Sequence, residues 1–582
     1  MSSQGVSLIM SAESFNCTGS QIGFDIGPTP SISSYPDLLH LAECNEPPSP
    51  VEETALNKII SQAESLLLIL RQKIDTETRE NVGGQLSRLS TAGTLATLAE
   101  KYRETEDFIR TARRLFSPVR HLPVEILHQI FVFAVEFPPP KVWDEGNHCW
   151  KIQHEKPSLW DLELVSKGWR SALLTCSLAW SYICLKDTDG FERTADNSAF
   201  RGLLRQVERS KPRPLSVSIH QSSCRGFPDL LIAALIHFAD RIVTLQLALG
   251  VVILRYLNPL QFFLLSLQNL SIISVTPELD TLVPDIFEAF SSAPLRSLEL
   301  WQVSVPDALV ISWARIRRYK HQYRHGPWDR SFHDALLQVS RFSDIEECEI
   351  SCTEHFLHQI QVPELLDVVT LPKLHTLRML GSRKGFEKVP LLLDHMTMPS
   401  LARITMQAFE SERLGSPAPY AVPSLFRLFQ RSHCSITCLR LTDVRVSEAD
   451  MERLFHLEFV HQALQELHLF NVGSDCLTDG LLTSLQYIEP ALFPLPSLHT
   501  LGLHGRCDFV PQRFVETVAS RCVQQVNQKS ARMRNVELVW VLRPGQSDPC
   551  QYICEELAPY QKDGLNLEIR SAQVSHIAGW LS

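Results

Sequence analysis

One six-residue pattern recurs along the chain and limits its possible fold more than any other feature. The pattern is apolar-x-x-apolar-x-apolar, and nine copies begin, in order, at Ile242, Leu267, Leu295, Ile345, Leu374, Leu401, Ile436, Leu464 and Leu498. Alternating apolar residues over such a short stretch predict a β-strand with one buried face. Nine similar strands predict a stack of units, each of which buries its apolar residues against its neighbours.

The spacing of the copies indicates the kind of unit. Successive copies start 25 to 35 residues apart, except for one step of 50 residues after Leu295. These steps lie near the period of about 20–29 residues that is typical of leucine-rich repeats. We therefore predict an irregular α/β leucine-rich-repeat-like solenoid over residues 187–582, with helices such as VSEADMERLFHLEF between its strands. PLSVSI near Leu215 is a candidate opening strand, and VELVWVL and LNLEI are candidate closing strands.

Residues beside the buried apolar pair should point to the opposite, concave face of this sheet, because side chains alternate along a strand. The early strands place neutral residues there, the middle strands Glu299, Glu347 and Glu349, and the later strands mainly basic residues, with Glu466 among them. We therefore predict a face that changes from neutral through acidic to basic. We expect a protein substrate to bind it, with an acidic or phosphorylated part near the arginines; a solvated sheet face is the alternative. The predicted contact residues are Trp301, Arg378, Arg403, Arg440, His468 and Phe470.

Basic and aromatic residues interleave in WARIRRYKHQYRHGPWDR, from Trp313 to Arg330, inside the 50-residue step. We interpret this segment as an insertion in one repeat or as a helix on the convex side. Interleaved basic and aromatic residues also occur in nucleic-acid-binding stretches, so RNA or an anionic protein are alternative ligands.

The region before the repeats divides into three parts. Residues 1–50 are rich in Ser and Pro and are predicted to be a disordered tail. Residues 51–115 keep a helical rhythm of apolar residues, which predicts a helical hairpin or a coiled coil. Two amphipathic helices follow, in LPVEILHQIF and LWDLELVSKGWRSALLTC, separated by a polar, proline-rich insert. Pro123 suits the first turn of the first helix, and Glu125 suits the positive end of its dipole.

These two helices resemble the halves of an F-box, and the whole layout from about residue 54 onward resembles fungal F-box proteins with irregular C-terminal leucine-rich repeats. The resemblance implies an F-box-like domain over residues 116–186 that docks on the Skp-type adaptor of a cullin-type (SCF) ubiquitin ligase. It also implies that the repeats recruit a protein substrate. The adaptor-binding residues implied by the match are Leu122, Pro123, Ile126, Ile130, Val165, Trp169 and Trp180.

Composition and missing motifs narrow the function further. The sequence has no GxSxG, HExxH, P-loop or GxGxxG motif, so we expect a non-catalytic receptor without a cofactor. Its 15 cysteines are scattered, which favours core thiols over disulfides or a metal site, and its net charge of −10 argues against nucleic-acid binding.

We see no signal peptide and no apolar run that could span a membrane, and we expect an intracellular protein of the cytoplasm or nucleus. A leucine-rich scaffold whose F-box-like helices are only structural is the main alternative; an RNA-associated protein is another.

Overall fold

The nine copies of the repeated pattern all form strands of one parallel sheet in a computed structural model of the chain. This sheet has 14 strands, and their hydrogen-bonded order follows the chain from Tyr182–Lys186 (β3) to Asn566–Gln573 (β18). Two short strands, Val369–Thr370 (β10) and Met396–Thr397 (β12), pair with each other instead. Helices precede the sheet, and further helices lie between many of its strands, so the predicted α/β character is confirmed.

Two further strands pair with each other before the sheet, and twelve more lie within it between β3 and β18. They are Lys141–Asp144 (β1), Cys149–Ile152 (β2), Leu215–His220 (β4), Ile242–Leu249 (β5), Asn269–Ser274 (β6), Ser297–Trp301 (β7), Arg318–Gln322 (β8), Glu347–Cys352 (β9), Thr376–Ser382 (β11), Arg403–Phe409 (β13), Cys438–Thr442 (β14), Glu466–Phe470 (β15), Thr500–Gly505 (β16) and Asn535–Leu542 (β17). The predicted opening strand and both predicted closing strands are therefore present, as β4, β17 and β18.

The helices precede or separate these strands. They are Pro50–Gly83 (α1), Arg88–Arg114 (α2), Val124–Ala134 (α3), Leu159–Glu163 (α4), Lys167–Thr175 (α5), Ser177–Trp180 (α6), Ser198–Arg209 (α7), Asp229–Phe238 (α8), Val389–Asp394 (α9), Val422–Ser432 (α10), Glu448–Phe455 (α11), Glu458–Ala463 (α12), Asp479–Leu485 (α13), Pro511–Cys522 (α14) and Cys550–Lys562 (α15). Short 3₁₀ helices span Pro118–His121, Ala239–Arg241, Arg255–Leu260 and Trp313–Arg315.

The structure describes residues 35, 40–41, 47–83, 88–135, 137, 139, 141–144, 149–152, 159–186, 198–220, 229–250, 254–274, 288–303, 311–322, 339–352, 368–382, 386, 389–409, 422–473, 475–487, 495–523, 531–543 and 545–573. Most of the predicted tail, residues 1–50, lies outside these ranges.

The repeated leucines form the core of the sheet. In β14, Leu439 and Leu441 are fully buried, whereas Arg440 between them is exposed on the other face. One continuous hydrophobic cluster joins such strand residues to helix residues that include Leu425 and Phe514. Each unit therefore buries its apolar side chains together with those of its neighbours, which is the source of stability that the repeat predicts.

A carbonyl that accepts two hydrogen bonds recurs at the start of successive strands. The Thr437 carbonyl accepts the N–H groups of Gln465 (2.8 Å) and Glu466 (2.9 Å), and the Gln465 carbonyl accepts those of His499 and Thr500. The same arrangement recurs between neighbouring units from β6 to β17. It fixes the register, so that the leucines of one strand lie level with those of the next.

The interpretation of the basic segment from Trp313 to Arg330 as an insertion or a convex helix was wrong. Its residues Arg318–Gln322 form β8, which pairs in parallel with β7 and β9, while residues 323–330 lie outside the described part of the chain. The buried Tyr319 and the ring of His321 stand where other strands carry leucine, isoleucine or methionine. The 50-residue step therefore contains two units.

The chain divides into two compact units, one of residues 1–131 with 158–175 and one of residues 132–157 with 176–582. The predicted F-box-like domain, residues 116–186, is thus shared between the units. Helices α4 and α5 and most of α3 lie in the first unit. The β1–β2 hairpin belongs to the second because Lys141 bonds to a residue of β7, and β3 belongs there as the first strand of the sheet.

Helices α1 and α2 pack against each other in the first unit. Their buried residues form one hydrophobic cluster that includes Leu56, Ile60, Phe108 and Leu115. These contacts join the beginning of α1 to the end of α2, so the two helices run antiparallel, as in the hairpin alternative of the prediction.

Candidate protein-interaction surfaces

Exposed apolar side chains mark α3 and the segment between α4 and α5. Ile126 on α3 is 40% exposed, and Leu164 and Val165, just before α5, are 82% and 57% exposed. Val124 is also exposed. We call Val124, Ile126, Ile130, Leu164 and Val165 the apolar helix surface. Several large exposed apolar residues in one small helical region are typical of a protein-binding surface.

The local sequence explains how these helices are held. The Pro123 carbonyl accepts the N–H groups of Ile126 (3.0 Å) and Leu127 (3.1 Å), so the proline begins α3 without losing a needed donor. The Ser166 hydroxyl accepts the Trp169 N–H at 3.1 Å and caps α5. The Trp169 ring packs edge-on against buried Phe131, with ring centres 5.4 Å apart. Trp169 thus holds α3 and α5 together.

The predicted adaptor-binding residues do not all lie at the surface. Pro123, Ile126 and Val165 are exposed, and Leu122, Ile130 and Trp169 are half-buried. Trp180 is 0% exposed, and the Arg209 guanidinium lies 4.5 Å from its ring centre. We therefore correct the prediction for Trp180: its role is internal packing. Leu164 was missed, although it directly precedes Val165 in LELVSKGW.

The face of the sheet opposite the leucines carries a continuous cross-strand row. Each strand contributes one residue to this row, in the order Cys184, Ser218, Gln246, Ser271, Glu299, Lys320, Glu349, Arg378, Thr405, Arg440, His468, Gly502, Glu537 and Glu568. We call it the central row and its side of the sheet the polar face. The row includes the predicted contact residues Arg378, Arg440 and His468.

The middle of the polar face is charge-balanced rather than acidic, which corrects the predicted gradient. Lys320 of β8, the strand that the pattern missed, lies 3.0 Å from Glu349 and 3.9 Å from Glu299. Arg378 lies 3.4 Å from the second oxygen of Glu349. These alternating ion pairs leave little net charge for a ligand in this part of the row.

Of the three predicted anion-binding arginines, Arg440 differs from the other two. Arg378 faces Glu349, and Arg403 donates to both carboxylate oxygens of Glu466 at 3.5 and 3.2 Å. Arg440 is exposed and makes no ion pair with any residue that the structure describes. Its guanidinium therefore keeps its charge available for an external anion.

Aromatic and imidazole rings surround Arg440 on the later strands. Its guanidinium lies 5.5 Å from the Phe470 ring centre, and Phe470 stacks on His504 with ring centres 3.8 Å apart. The His468 ring meets Phe470 edge-on at 5.6 Å. The His468 ring lies over Gly502, and a Cβ atom at position 502 would come within 2.6 Å of His468 Nδ1. We call Arg440, His468, Phe470 and His504 the basic–aromatic cluster.

Both histidines of this cluster are neutral near pH 7. Burial and, to a smaller extent, the nearby charge of Arg440 lower the pKa of His468 to about 4, although the Glu466 carboxylate acts in the opposite direction. Burial, with Arg440 and Arg570, lowers the pKa of His504 to about 4. His468 Nδ1 is buried without a hydrogen-bond partner among the described residues. The cluster thus combines one fixed positive charge with two neutral imidazole rings.

We expect acid to destabilise the sheet through His468. Its pKa in the folded chain, about 4, lies below the ordinary 6.5, so the unfolded chain binds a proton that the folded chain does not between these values. The contribution of His468 to stability is fully present above about pH 6.5 and falls by about 3 kcal/mol as the pH drops to its folded pKa and below. Urea unfolding at about pH 7 and about pH 4.5 should show a smaller loss of stability in His468→Gln than in the wild type.

The matched control is His456→Gln, which removes an exposed histidine at the end of α11. Equal pH dependence in the wild type and His468→Gln would contradict the assignment.

The early part of the polar face is covered rather than open. Ser218, Gln246 and Trp301 are all buried, although their strands place them on the face opposite the leucines. Trp301 was predicted to be an exposed anchor for a substrate. The structure instead places it beneath the Lys141 ammonium, 4.8 Å from its ring centre.

The described part of the basic segment has carboxylate partners. Arg317 lies 3.4 Å from Glu346, and Arg318 lies 3.5 Å from Glu347, each on the neighbouring unit. With Lys320 also paired, these cations stabilise the contact between β8 and β9, and their charges are partly neutralised for an external ligand.

Three further observations concern other kinds of site. Within the described residues, no group of three or more His, Cys, Asp and Glu side chains is placed to hold a metal ion, and no helix is long and apolar enough to cross a membrane. Burial raises the pKa of Cys434 to about 12 and that of Cys438 to about 11, so these thiols are poor nucleophiles.

No protein-family model matches the sequence, and no curated protein is significantly similar to it.

Proposed function

We propose that the protein is the substrate-recognition subunit of a cullin-type (SCF) ubiquitin ligase. Its F-box-like helices would dock on the Skp-type adaptor, and its repeats would form a leucine-rich-repeat solenoid that binds a protein substrate. The observation that carries this proposal is the apolar helix surface. It lies on the two helices that resemble an F-box, and it exposes Ile126, Leu164 and Val165.

Exposed apolar residues on α3 and beside α5 suit a partner that supplies an amphipathic helix or a groove. The Phe131–Trp169 contact and the hydrogen bond between His128 Nε2 and the Ala172 carbonyl (3.0 Å) hold the two helices together beneath them. A receptor of this kind needs no catalytic residue, because holding a substrate near a ubiquitin-charged enzyme raises its effective concentration.

The basic–aromatic cluster is the part of the polar face best suited to the substrate. Arg440 offers an exposed charge, Phe470 offers an apolar surface, and the buried His468 nitrogen lacks a partner among the described residues. An acidic or phosphorylated segment suits the Arg440 charge, because arginine binds such anions through several hydrogen bonds at once.

Removing Arg440 should weaken binding of a phosphorylated segment by about tenfold or more, the effect of losing one charged hydrogen-bonded contact. The probe is a fluorescent, degenerate phosphoserine peptide pool, and the readout is fluorescence polarisation with the full chain. Arg378→Ala is the matched control, because Arg378 lies on the same row but is already paired with Glu349. Equal losses in Arg440→Ala and Arg378→Ala, or equal binding of an unphosphorylated pool, would contradict the assignment.

Titration of a purified Skp-type adaptor into the full chain tests the function itself. Saturable one-to-one binding is expected, because the apolar helix surface is already exposed in the folded chain. Absence of binding by a chain whose circular dichroism shows it to be folded would favour the alternative of a leucine-rich scaffold with purely structural F-box-like helices.

A further inference from the structure

The β1–β2 hairpin, which lies in the insert between the two F-box-like helices, contacts the polar face of the sheet. Its first residue, Lys141, forms a hydrogen-bonded ion pair with Glu299 of the central row, 158 positions along the chain. The Lys141 ammonium also lies over the Trp301 ring, and its side chain is only 12% exposed. Strand β2 lies beside β6, the strand next to β7.

The residues that hold Lys141 belong to the sheet and not to the hairpin. Glu299 and Trp301 lie two positions apart on β7, so their side chains share the polar face. A carboxylate beside the face of an indole ring is a favourable combination for a primary ammonium group. Lys320 lies 3.9 Å from Glu299 and 4.8 Å from the Trp301 ring centre, so the site already tolerates two ammonium groups.

Several polar groups on the early part of the polar face are buried. The Ser218 hydroxyl and both polar atoms of the Gln246 side chain are buried without hydrogen-bond partners among the described residues. Burying such groups unpaired costs free energy, as does desolvating the Lys141 ammonium, whose pKa burial lowers despite Glu299. The ion pair with Glu299 therefore does not fully offset the desolvation of the Lys141 ammonium, and a partner segment that places a lysine here competes with a contact that is itself costly.

We propose that Glu299 and Trp301 form a lysine-binding site on the polar face, which Lys141 occupies as an intrachain ligand. A lysine on an extended segment of a partner protein takes the same place when the hairpin leaves. The charge of Glu299 and the lysine already seated there define this chemistry. The inference rests on the proposed function only in treating the polar face as a protein-binding face. Failure of the adaptor to bind would leave it unaffected.

The test uses a fluorescent peptide with the sequence of residues 141–152, KVWDEGNHCWKI, carrying Cys149→Ser to prevent oxidation. Its binding is compared between the full wild-type chain and a chain in which these residues are replaced by a Gly-Ser linker of equal length. The peptide should bind the linker chain at least about tenfold more tightly than the wild type, whose own hairpin competes. Lys141→Met in the peptide, or Glu299→Gln in the linker chain, should lower affinity by about tenfold.

Glu537→Gln in the linker chain is the matched control, because Glu537 is also a carboxylate of the central row but lies on β17. Should the linker chain not fold, the full chain with Lys141→Met takes its place and should bind the peptide more tightly than the wild type. Equal binding to the wild type and the opened chain, binding that ignores Glu299, or no binding at all would show the hairpin to be a fixed structural part.

Discussion

Ile126→Asp should lower the affinity for the Skp-type adaptor by about a hundredfold or more, the loss expected when a charge enters the apolar centre of an interface. Ile126 is 40% exposed, so the substitution changes the surface more than the core. It also lies in the first turn of α3, where the helix dipole favours a carboxylate. The variant should therefore fold normally, and its affinity is measured by calorimetric titration. Val165→Asp, at a 57% exposed position, should have the same effect.

Val51→Asp provides a matched control for this experiment. Val51 is 80% exposed and lies in the first turn of α1. The substitution therefore introduces the same charge at an equivalent position of another helix. It should leave adaptor affinity unchanged. Equal losses in Val51→Asp and Ile126→Asp would show that added charge, rather than the apolar helix surface, controls binding.

Trp180→Ala should destabilise the unit that contains the sheet by about 3–5 kcal/mol, the usual cost of removing a fully buried tryptophan. Trp180 ends α6, and only Ser181 separates it from β3, the first strand of the sheet. Its loss leaves a cavity there and removes the ring that lies beside the Arg209 guanidinium. Urea unfolding monitored by circular dichroism provides the measurement, and Trp180→Phe, which keeps an aromatic ring, should lose clearly less.

The same variant distinguishes the two roles considered for Trp180. If its role is packing, the folded fraction of Trp180→Ala in the absence of urea should bind the adaptor as the wild type does. A variant with unchanged unfolding midpoint and lost adaptor binding would instead restore Trp180 to the docking surface and contradict its burial.

Strand placement could be predicted from the sequence wherever the apolar pattern was complete, because alternation and burial determine each strand locally. The β8 strand was missed because Tyr319 and His321 occupy the positions of the usual aliphatic residues. Both rings face the sheet's core side, which a pattern based on leucine and isoleucine does not recognise. Because β8 was missed, Lys320 was left out of the predicted face. The middle of that face was therefore predicted to be acidic.

Side-chain pairing on the polar face was harder to predict than the face itself. Alternation placed Arg378, Arg403 and Arg440 on it, but the carboxylates that pair with Arg378 and Arg403 come from other strands. Arg403 reaches Glu466 two strands away, across Cys438, which is paired with both residues on the strand between them. The contact between the Lys141 ammonium and the Trp301 ring could not be predicted, because the two residues are brought together only by the placement of the hairpin.

Assembly with the adaptor and a cullin tests the central claim most directly. The full chain, a Skp-type adaptor and the N-terminal region of a cullin are mixed and separated by size-exclusion chromatography, alongside the Ile126→Asp variant. We predict that the wild-type chain elutes in one complex with both partners and that the variant elutes alone. A folded wild-type chain that elutes apart from the adaptor would contradict the assignment as a ubiquitin-ligase receptor.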